Sequence, residues 1–180
     1  MNAKLNELNN AIDRFDLAID QRWEQWRDNP LLDRLFYTAS EAADFSLLWH
    51  SLGVGQAIIK DDPKIAVTLS AALGIESALL NGPIKSLFKR SRPRQETPRP
   101  HNLRQPLTSS FPSGHASAAM LAAALLWRGK YRFVGYGLGL IVAFSRVHVR
   151  IHHASDVLGG LVFGLIFAKF TRRLQAQPKN

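Results

Sequence analysis

The chain has 180 residues and a formal net charge of +9, with 23 Lys and Arg side chains against 14 Asp and Glu. This length fits one domain, and a hydrophobic content of 46% excludes an intrinsically disordered chain. Because cysteine is absent, disulfide scaffolds, thiolate metal sites and cysteine nucleophiles are excluded as well.

Residues 3–27 form the first predicted helix, which is amphipathic. Its apolar side chains recur at spacings of three and four and so share one face. They are Leu5, Leu8, Ile12, Phe15, Ile19, Trp23 and Trp26. This face could anchor at a membrane interface through its two tryptophans, pack on the protein's own core, or pack on a second copy in a homo-oligomer. A second helix is predicted from Pro30 through Ala39.

Five apolar runs follow, and each predicts a further helix. They cover residues 45–59, 65–84, 116–127, 133–145 and 157–168. A helix needs about 20 apolar residues to cross a bilayer, and only 65–84 meets this criterion alone. The stretches 35–59 and 154–172 become long enough if their polar residues face the protein interior. We therefore expect an all-α, membrane-embedded helical bundle preceded by an amphipathic N-terminal helix, with a soluble protein as the alternative.

The positive charge lies outside the N-terminal segment. Residues 1–41 carry a net charge of −3, and the remaining 139 residues carry +12. Such a surplus is typical of proteins that bind nucleic acid, anionic lipid or a phosphorylated substrate. Much of it lies in a proline-rich stretch, about 88–113, whose length indicates a functional loop. We expect the following side chains of this loop to face lipid head groups or a polar substrate head: Lys89, Arg90, Arg94, Arg99 and Arg104.

The first chemical motif is Lys85, six further residues and then Arg92-Pro93. Seven residues are almost two helical turns, so the two cations would point in the same direction. Pro93 disfavours helical geometry at Arg92, and we expect the helix to unwind there. Two cations at a helix end can clamp a phosphate, since the planar guanidinium fits two oxygens. A solvated basic surface is the simpler alternative.

The second motif is Pro112-Ser113-Gly114-His115, at the start of the run 116–127. Gly114 allows a ligand to approach the backbone, and the unpaired amides of a helix N-terminus attract an anion. Ser113 could cap this helix. His115 could donate a proton to a leaving group or have a structural role.

The third motif is Ser145-Arg146, five residues, His152, three residues and Asp156. A spacing of four brings His152 and Asp156 within reach of each other if the next helix begins near residue 153. A carboxylate on one imidazole nitrogen leaves the other free to act as a nucleophile. A zinc or manganese site is the alternative, but Arg146 and Arg150 would repel a cation, which favours an anion pocket.

Together, and in this order, the three motifs resemble those of the type 2 phosphatidic acid phosphatase family, the lipid phosphate phosphatases and their relatives. The resemblance spans residues 85–156 without a departure at the signature positions, and residues 1–60 carry no motif. It implies that His152 attacks phosphorus, that Asp156 orients His152, and that His115 protonates the leaving oxygen and then activates water. It also implies that the phosphoryl group is held by Lys85, Arg92, Ser113, Gly114 and Arg146. It implies no metal and no cofactor.

The order of the predicted helices places this pocket at one end of the bundle. The helices 65–84 and 133–145 would end there, and those from residues 115 and 156 would begin there. A pocket at the membrane surface suits a lipid phosphate substrate, so we expect a polyprenyl phosphate or diphosphate, or a prenyl-linked phosphoribose as in similar small bacterial members of the family.

We expect one phosphatase domain over residues 1–180, as a multi-pass protein of the cell membrane. Its parts would be N-terminal helices in 1–41, a catalytic core in 42–174 and a tail in 175–180. Two other readings remain: a soluble nonspecific acid phosphatase or vanadium-haloperoxidase-like enzyme, and a basic protein that binds nucleic acid or anionic lipid. The last does not explain the His152–Asp156 spacing, so we expect no nucleic-acid partner. His50 and Glu76, which lie inside apolar runs, are expected to pair with each other or with the backbone.

Overall fold

The structure is a computed structural model, and it describes residues 2–94 and 103–176. Within these residues the regular structure is helical, which confirms the predicted all-α class. The seven α-helices are α1 (Asn2–Glu24), α2 (Pro30–Ala42), α3 (Leu47–Ile59), α4 (Lys64–Leu79), α5 (Gly114–Leu126), α6 (Arg132–His148) and α7 (Ala154–Ala176). Arg99, one of the cations expected to face head groups, lies outside the described part of the chain.

The helix starts follow local sequence signals. The side chain of Asn29 accepts hydrogen bonds from the amides of Leu31 and Leu32 and so caps α2, whose first residue is Pro30. Asp62 accepts a hydrogen bond from the amide of Lys64 at the start of α4. The stretch 35–59 is not one continuous helix, so it does not supply the long span that the sequence left open. A short 3₁₀ turn at Asp44–Ser46 separates α2 from α3, and Phe45 and Ser46 have positive φ values there.

Helix α5 is the centre of the bundle and packs against α6 and α7. All of its residues from 116 to 124 are buried, and six of them are alanines. Small side chains on a central helix allow its neighbours to approach closely. The closest approach is at α7, where a Cβ atom on Gly164 would lie 2.2 Å from the carbonyl oxygen of Ser117. Gly160 similarly lies against the carbonyl oxygen of Ser113.

The N-terminal helices pack on the core through one end of their apolar face. Trp23 stacks on Phe144 of α6, with ring centroids 5.7 Å apart, and its Nε1 donates a hydrogen bond to His148 Nδ1. At the other end of α1, Leu5 and Leu8 are half-exposed. The stripe therefore packs on the protein's own core near Trp23 and leaves its first turns open.

Among the described residues, two helical stretches are long and apolar enough to cross a membrane, Lys64–Ile84 and Ala154–Ala176. The first is α4 extended by a π-helical turn, Leu80–Ile84, which contains Pro83 and a non-helical Gly82. The helix ends at Ser86, so it unwinds earlier than expected. Lys85 and Arg92 therefore do not share a helical face.

Candidate active site

A cavity of about 730 Å³ opens at the end of the bundle where α4 ends and α5 begins. Lys85, Gly114, His115 and His152 all line it. Chain segments that are far apart in the sequence thus bring members of all three motifs to one pocket, as the order of the helices predicted. Thr108 and Arg104, from the loop that precedes α5, line it as well.

His152 and Asp156 form a buried pair at this pocket. His152 Nδ1 lies 3.6 Å from Asp156 Oδ2, and both side chains are almost fully buried. The short loop before α7 positions them, because α7 begins at Ala154 and Asp156 lies in its first turn. Burial lowers the pKa of His152 to about 3, against the effect of Asp156, so its ring is neutral at pH 7. A neutral imidazole has a lone pair available for a nucleophilic attack.

Three donors hold the Asp156 carboxylate in place. Ser110 Oγ donates to Asp156 Oδ2 at 2.5 Å, and the amide of His153 donates to the same oxygen at 2.8 Å. Arg90 Nη1 donates to Oδ1 at 2.7 Å. Ser110 Oγ also lies 3.4 Å from His152 Nδ1, so the hydroxyl bridges the pair. This environment fixes the carboxylate and, through it, the orientation of the imidazole.

Arg92 faces the other side of the imidazole. Its Nη1 lies 3.3 Å from His152 Nε2, and its guanidinium also donates to the backbone carbonyls of Pro106, Thr108 and Ile151. The carbonyl bonds hold the cation beside the nitrogen that Asp156 leaves free. A phosphoryl group in front of Nε2 would therefore meet a guanidinium.

Lys85 is a second buried cation of the pocket. Its side chain is about 5% exposed, and its Nζ donates to Thr108 Oγ1 at 3.4 Å. Burial, and then the neighbouring Arg92, lower the pKa of Lys85 to about 8. The lysine thus carries its charge at pH 7 but is close to losing it, and such a perturbed pKa is typical of a functional site.

The start of α5 supplies the backbone side of the pocket. Ser113 caps α5, because its side chain accepts from the amide of Ala116, and its own amide donates to the carbonyl of Asp156 at 3.0 Å. This bond ties the start of α5 to the first turn of α7. The buried Arg146 of α6 donates to Ser40 Oγ of α2. Ser40 of α2 therefore helps to position Arg146, a cation that the sequence analysis predicts to bind the phosphate.

His115 has a carboxylate partner that the sequence did not predict. Its Nε2 lies 3.0 Å from Asp44 Oδ1, in the turn between α2 and α3. Burial alone would raise the pKa of Asp44, but the hydrogen bond with His115 and the charge of Arg146 lower it below its usual value. The site thus contains two His–Asp pairs, His152–Asp156 and His115–Asp44.

Two expectations about neighbouring residues are wrong. Arg90 does not face lipid head groups, because it pairs with Asp156 and, on α1, with Asp16. His50 and Glu76 do not pair with each other. His50 Nδ1 lies 2.9 Å from Ser70 Oγ instead. His148 is buried between Trp23 Nε1 and Asp33, away from the pocket.

Several residues of the site were missed by the sequence analysis. They are Ser40, Asp44, Arg90 and Ser110, and each contacts a predicted site residue rather than completing a motif. Of these four residues, only Asp44 could have been noticed in the sequence, because it is a charged residue inside the largely apolar stretch 35–59. In the described residues, no three His, Asp or Glu side chains come together as a metal site would require.

The PAP2 superfamily model matches residues 65–179 of this chain. The chain belongs to the PAP2 superfamily. The match contains all three motifs, and residues 1–64, which supply Asp16, Ser40 and Asp44, lie outside it. The family signature therefore covers the predicted site residues, while part of their support comes from this chain's own N-terminal helices.

Proteins similar to this PAP2 chain include "Putative undecaprenyl-diphosphatase YbjG" of Escherichia coli (strain K12), 31% identical over 66% of this chain and 57% of its own length. An undecaprenyl-diphosphatase of Bacillus subtilis (strain 168) is 39% identical over 37% of this chain and 38% of its own length. The chain thus spans little more than half of the first of these relatives and less of the second.

A solved structure is similar over nearly the whole PAP2 chain. The transmembrane PAP2-type phosphatidylglycerolphosphate phosphatase from Bacillus subtilis matches with a TM-score of 0.72 and 26% identity. The match covers 95% of this chain and 89% of that one. With the two membrane-length helices, this similarity identifies the chain as a membrane-embedded helical protein.

Proposed function

We propose that this protein is a phosphoric ester hydrolase that removes a phosphate from a lipid phosphate through a phosphohistidine intermediate. The observation that carries this proposal is the geometry of His152, with Asp156 at Nδ1 and Arg92 at Nε2. Such an arrangement holds a neutral nucleophile against a cation that can receive phosphoryl oxygens. Membership of the PAP2 superfamily and the names of the relatives support the same reaction class.

In the first step, His152 Nε2 attacks phosphorus, a P–N bond forms and the P–O bond to the lipid alcohol breaks. The leaving oxygen takes a proton from His115. Burial lowers the pKa of this ring to about 4, and Asp44 together with the negative charge of the bound phosphate opposes that effect and favours the protonated form before the transfer. Asp156 stabilises the positive charge that develops on His152. Lys85, Arg92 and Arg146 stabilise the charge on the phosphoryl oxygens, with the Ser113 side chain and the Gly114 amide completing the cradle.

In the second step, water attacks the phosphohistidine. His115 has lost its proton and now accepts one from the water, so that the P–N bond breaks and inorganic phosphate leaves. His152 returns to its neutral form. The chemistry is metal-independent in this proposal, because the five phosphate-binding groups and two histidines supply the charges and protons that it needs.

The substrate that we propose is of the polyprenyl type, a prenyl phosphate or diphosphate or a prenyl-linked phosphoribose. The curated relatives support the prenyl diphosphates by their names. We also propose a single domain over 1–180, as a multi-pass protein of the cell membrane. A pocket at a bundle end allows the phosphate to enter while the lipid chain stays in the bilayer.

The test is phosphate release by the purified chain in detergent, with a chelator present. The substrates are prenyl phosphate, prenyl diphosphate, prenyl-linked phosphoribose, phosphatidate, phosphatidylglycerophosphate and a small soluble ester. We expect turnover of a lipid phosphate, loss of turnover in His152→Ala and a loss of roughly 10²–10⁴-fold in Asp156→Asn. His153→Ala is the matched control, because His153 is the adjacent imidazole and lies outside the motif. Near-native activity in His152→Ala would falsify the nucleophile assignment.

A trapped intermediate provides a second readout. The reaction with a ³²P-labelled lipid is stopped at alkaline pH, where a P–N bond is stable. The label should stay on the wild-type chain at that pH and be lost on acid treatment, as expected for a P–N bond. His152→Ala should carry no label. Label that survives acid would indicate a different nucleophile.

A further inference from the structure

Glu76 is a buried acid in the wall of the active-site cavity. It lies on α4, its residue is 2% exposed, and it lines the same cavity as Lys85, His115 and His152. Its Oε1 atom and the neighbouring Ser117 Oγ both lack a hydrogen-bond partner in good geometry among the residues that the structure describes, although the two side chains lie close together. A buried polar atom without a partner costs free energy, so its presence at a ligand cavity calls for a donor from the ligand.

The position of Glu76 is set by its neighbours. Its carboxyl group lies beside Ser117 of α5 and within electrostatic range of Lys85. The amide of Ser117 donates to the carbonyl of Ser113, so Ser117 is one helical turn beyond the predicted phosphate cradle. One turn is about 5 Å along the helix. Glu76 therefore lies near the atoms that follow the phosphate ester in a bound substrate.

The chemistry of Oε1 limits what these atoms can be. A carboxyl oxygen accepts hydrogen bonds, and an isoprenoid chain has no donor to offer. The second phosphate of an ionised diphosphate presents only acceptor oxygens, so it has no donor for Oε1. A hydroxyl group supplies a donor of the right size. The next turn of the same wall is also polar, since Asn81 Nδ2 donates to Ser77 Oγ at 3.1 Å and both residues line the cavity.

We propose that Glu76 binds a free hydroxyl group that the substrate carries close to its phosphate ester, as in a sugar or glycerol head group. This inference rests on the proposed function. Among lipid phosphates it favours a monoester with a hydroxylated head group, such as the prenyl-linked phosphoribose proposed above, over a prenyl phosphate or diphosphate. Glu76 acts in binding and takes no part in the transfer of the phosphoryl group.

The test compares two pairs of substrates in the wild type and in Glu76→Leu. The glycerol pair is a 1-O-alkylglycerol 3-phosphate and the analogue that lacks the 2-hydroxyl. The sugar pair is a prenyl-linked ribose phosphate and its deoxy analogue. In each pair the measured quantity is the ratio of kcat/KM with and without the hydroxyl. A general loss of folding or activity lowers both members of a pair equally and cancels in this ratio.

We expect the wild type to prefer the hydroxylated member of one pair by about tenfold or more. In Glu76→Leu this ratio should fall towards one. The pair of substrates whose ratio changes shows whether the site binds a sugar or a glycerol head group. If Glu76→Leu is not recovered folded, Glu76→Gln keeps the size of the side chain, and its ratio should change by at least threefold. A wild type that turns over all four substrates with ratios near one would refute the hydroxyl site while leaving the phosphatase proposal intact. Turnover of none of the lipid phosphates would instead contradict the proposed function itself.

Discussion

His152 shows how burial prepares a nucleophile. An exposed imidazole with its ordinary pKa near 6.5 is partly protonated at neutral pH and then has no lone pair to use. Burial lowers the pKa of His152 to about 3, and Asp156 keeps the ring oriented at the same time. The carboxylate would by itself favour the protonated ring, but desolvation and the adjacent arginines outweigh it. The reacting nitrogen is therefore unprotonated over the whole physiological range.

The lowered pKa of Lys85 predicts how kcat/KM depends on pH. Its pKa is lowered to about 8, so it is charged below that pH and neutral above it. Because kcat/KM reports the free protein, we expect kcat/KM to fall as pH rises through about 8. The variant Lys85→Arg, whose guanidinium stays charged, should move this alkaline limb above about pH 10, even if its maximum is lower. The measurement is the pH profile of both proteins on one lipid phosphate. An unchanged limb in the variant would assign it to another group.

One acidic side chain of helix α1, Asp16, contacts residues that surround the catalytic pair His152 and Asp156. Asp16 Oδ1 accepts from the amide of Ser155 at 2.8 Å, and Oδ2 accepts from Ser155 Oγ at 2.7 Å. The same carboxylate pairs with Arg90, which holds Asp156. The N-terminal helix, which the family model does not cover, thus supports the orientation of His152 through two intermediate contacts.

Asp16 is accordingly predicted to be a positioning residue. In Asp16→Asn the charge that fixes Arg90 is lost, so we expect kcat to fall by about tenfold with KM changed less than twofold. Asp13→Asn is the matched control. Its carboxylate also faces Arg90, at 3.6 Å, but is 74% exposed, and exposed pairs contribute little. Steady-state kinetics on one substrate separates the two cases. Equal effects of the two variants would mean that Arg90 does not depend on Asp16.

The close packing of α7 on α5 predicts that a larger residue at Gly164 lowers the stability of the protein. A Cβ atom on Gly164 would meet backbone of α5, which cannot move aside as a side chain can. We expect Gly164→Ala to destabilise the protein by about 1–3 kcal/mol. In Gly137→Ala, on α6, the new Cβ would have no atom within 4 Å, and alanine should stabilise that helix by about 0.5–1 kcal/mol. Thermal unfolding in detergent measures both, and shifts of the same sign would contradict the packing argument.

Sequence patterns predicted most of the helices but few of the contacts between distant segments. Apolar runs and capping residues predicted most helices within a few residues, because periodicity and local hydrogen bonds decide them. The backbone geometry of the break at Asp44–Ser46 was not predicted, since Phe45 and Ser46 adopt positive φ without a glycine to indicate it. Asp16 falls at helical spacing from Ile12 and Ile19, on the apolar face, and this misplaced charge was the available sign of a buried contact. Arg90 and Ser110 gave no such sign, because their partners come from distant segments.

For the whole molecule, the outer surface of the bundle is as informative as the pocket. Large apolar side chains point outwards along several helices, at exposures that would be unfavourable in water over so wide an area. Examples are Ile58, Ile59, Val67, Ile75, Phe133 and Phe170. A bilayer around these faces accounts for their exposure, and it makes a soluble phosphatase or haloperoxidase-like enzyme the weaker alternative. On the two membrane-length helices the basic side chains lie towards one end, Lys64 at the start of α4 and Lys169, Arg172 and Arg173 near the end of α7.

The distribution of these charges predicts the orientation in the membrane. Lys60, Lys64 and Arg128 come together around a cavity at the end opposite the site, and Arg172 extends that basic end. The basic residues at the catalytic end are partly committed to function, as Lys85, Arg90 and Arg92 show. Because cytoplasmic ends carry the excess of Lys and Arg, we expect the site to face away from the cytoplasm.

The absence of cysteine makes this orientation measurable with single labels. Ser91→Cys places a thiol on an exposed residue at the catalytic end, and Tyr131→Cys places one at the opposite end. In intact cells a membrane-impermeant maleimide should label Ser91→Cys and leave Tyr131→Cys unlabelled until the membrane is permeabilised. Phosphate release by each variant checks that the fold is kept. The reverse labelling pattern would place the site on the cytoplasmic side, and the substrate phosphate would then have to be presented from within the cell.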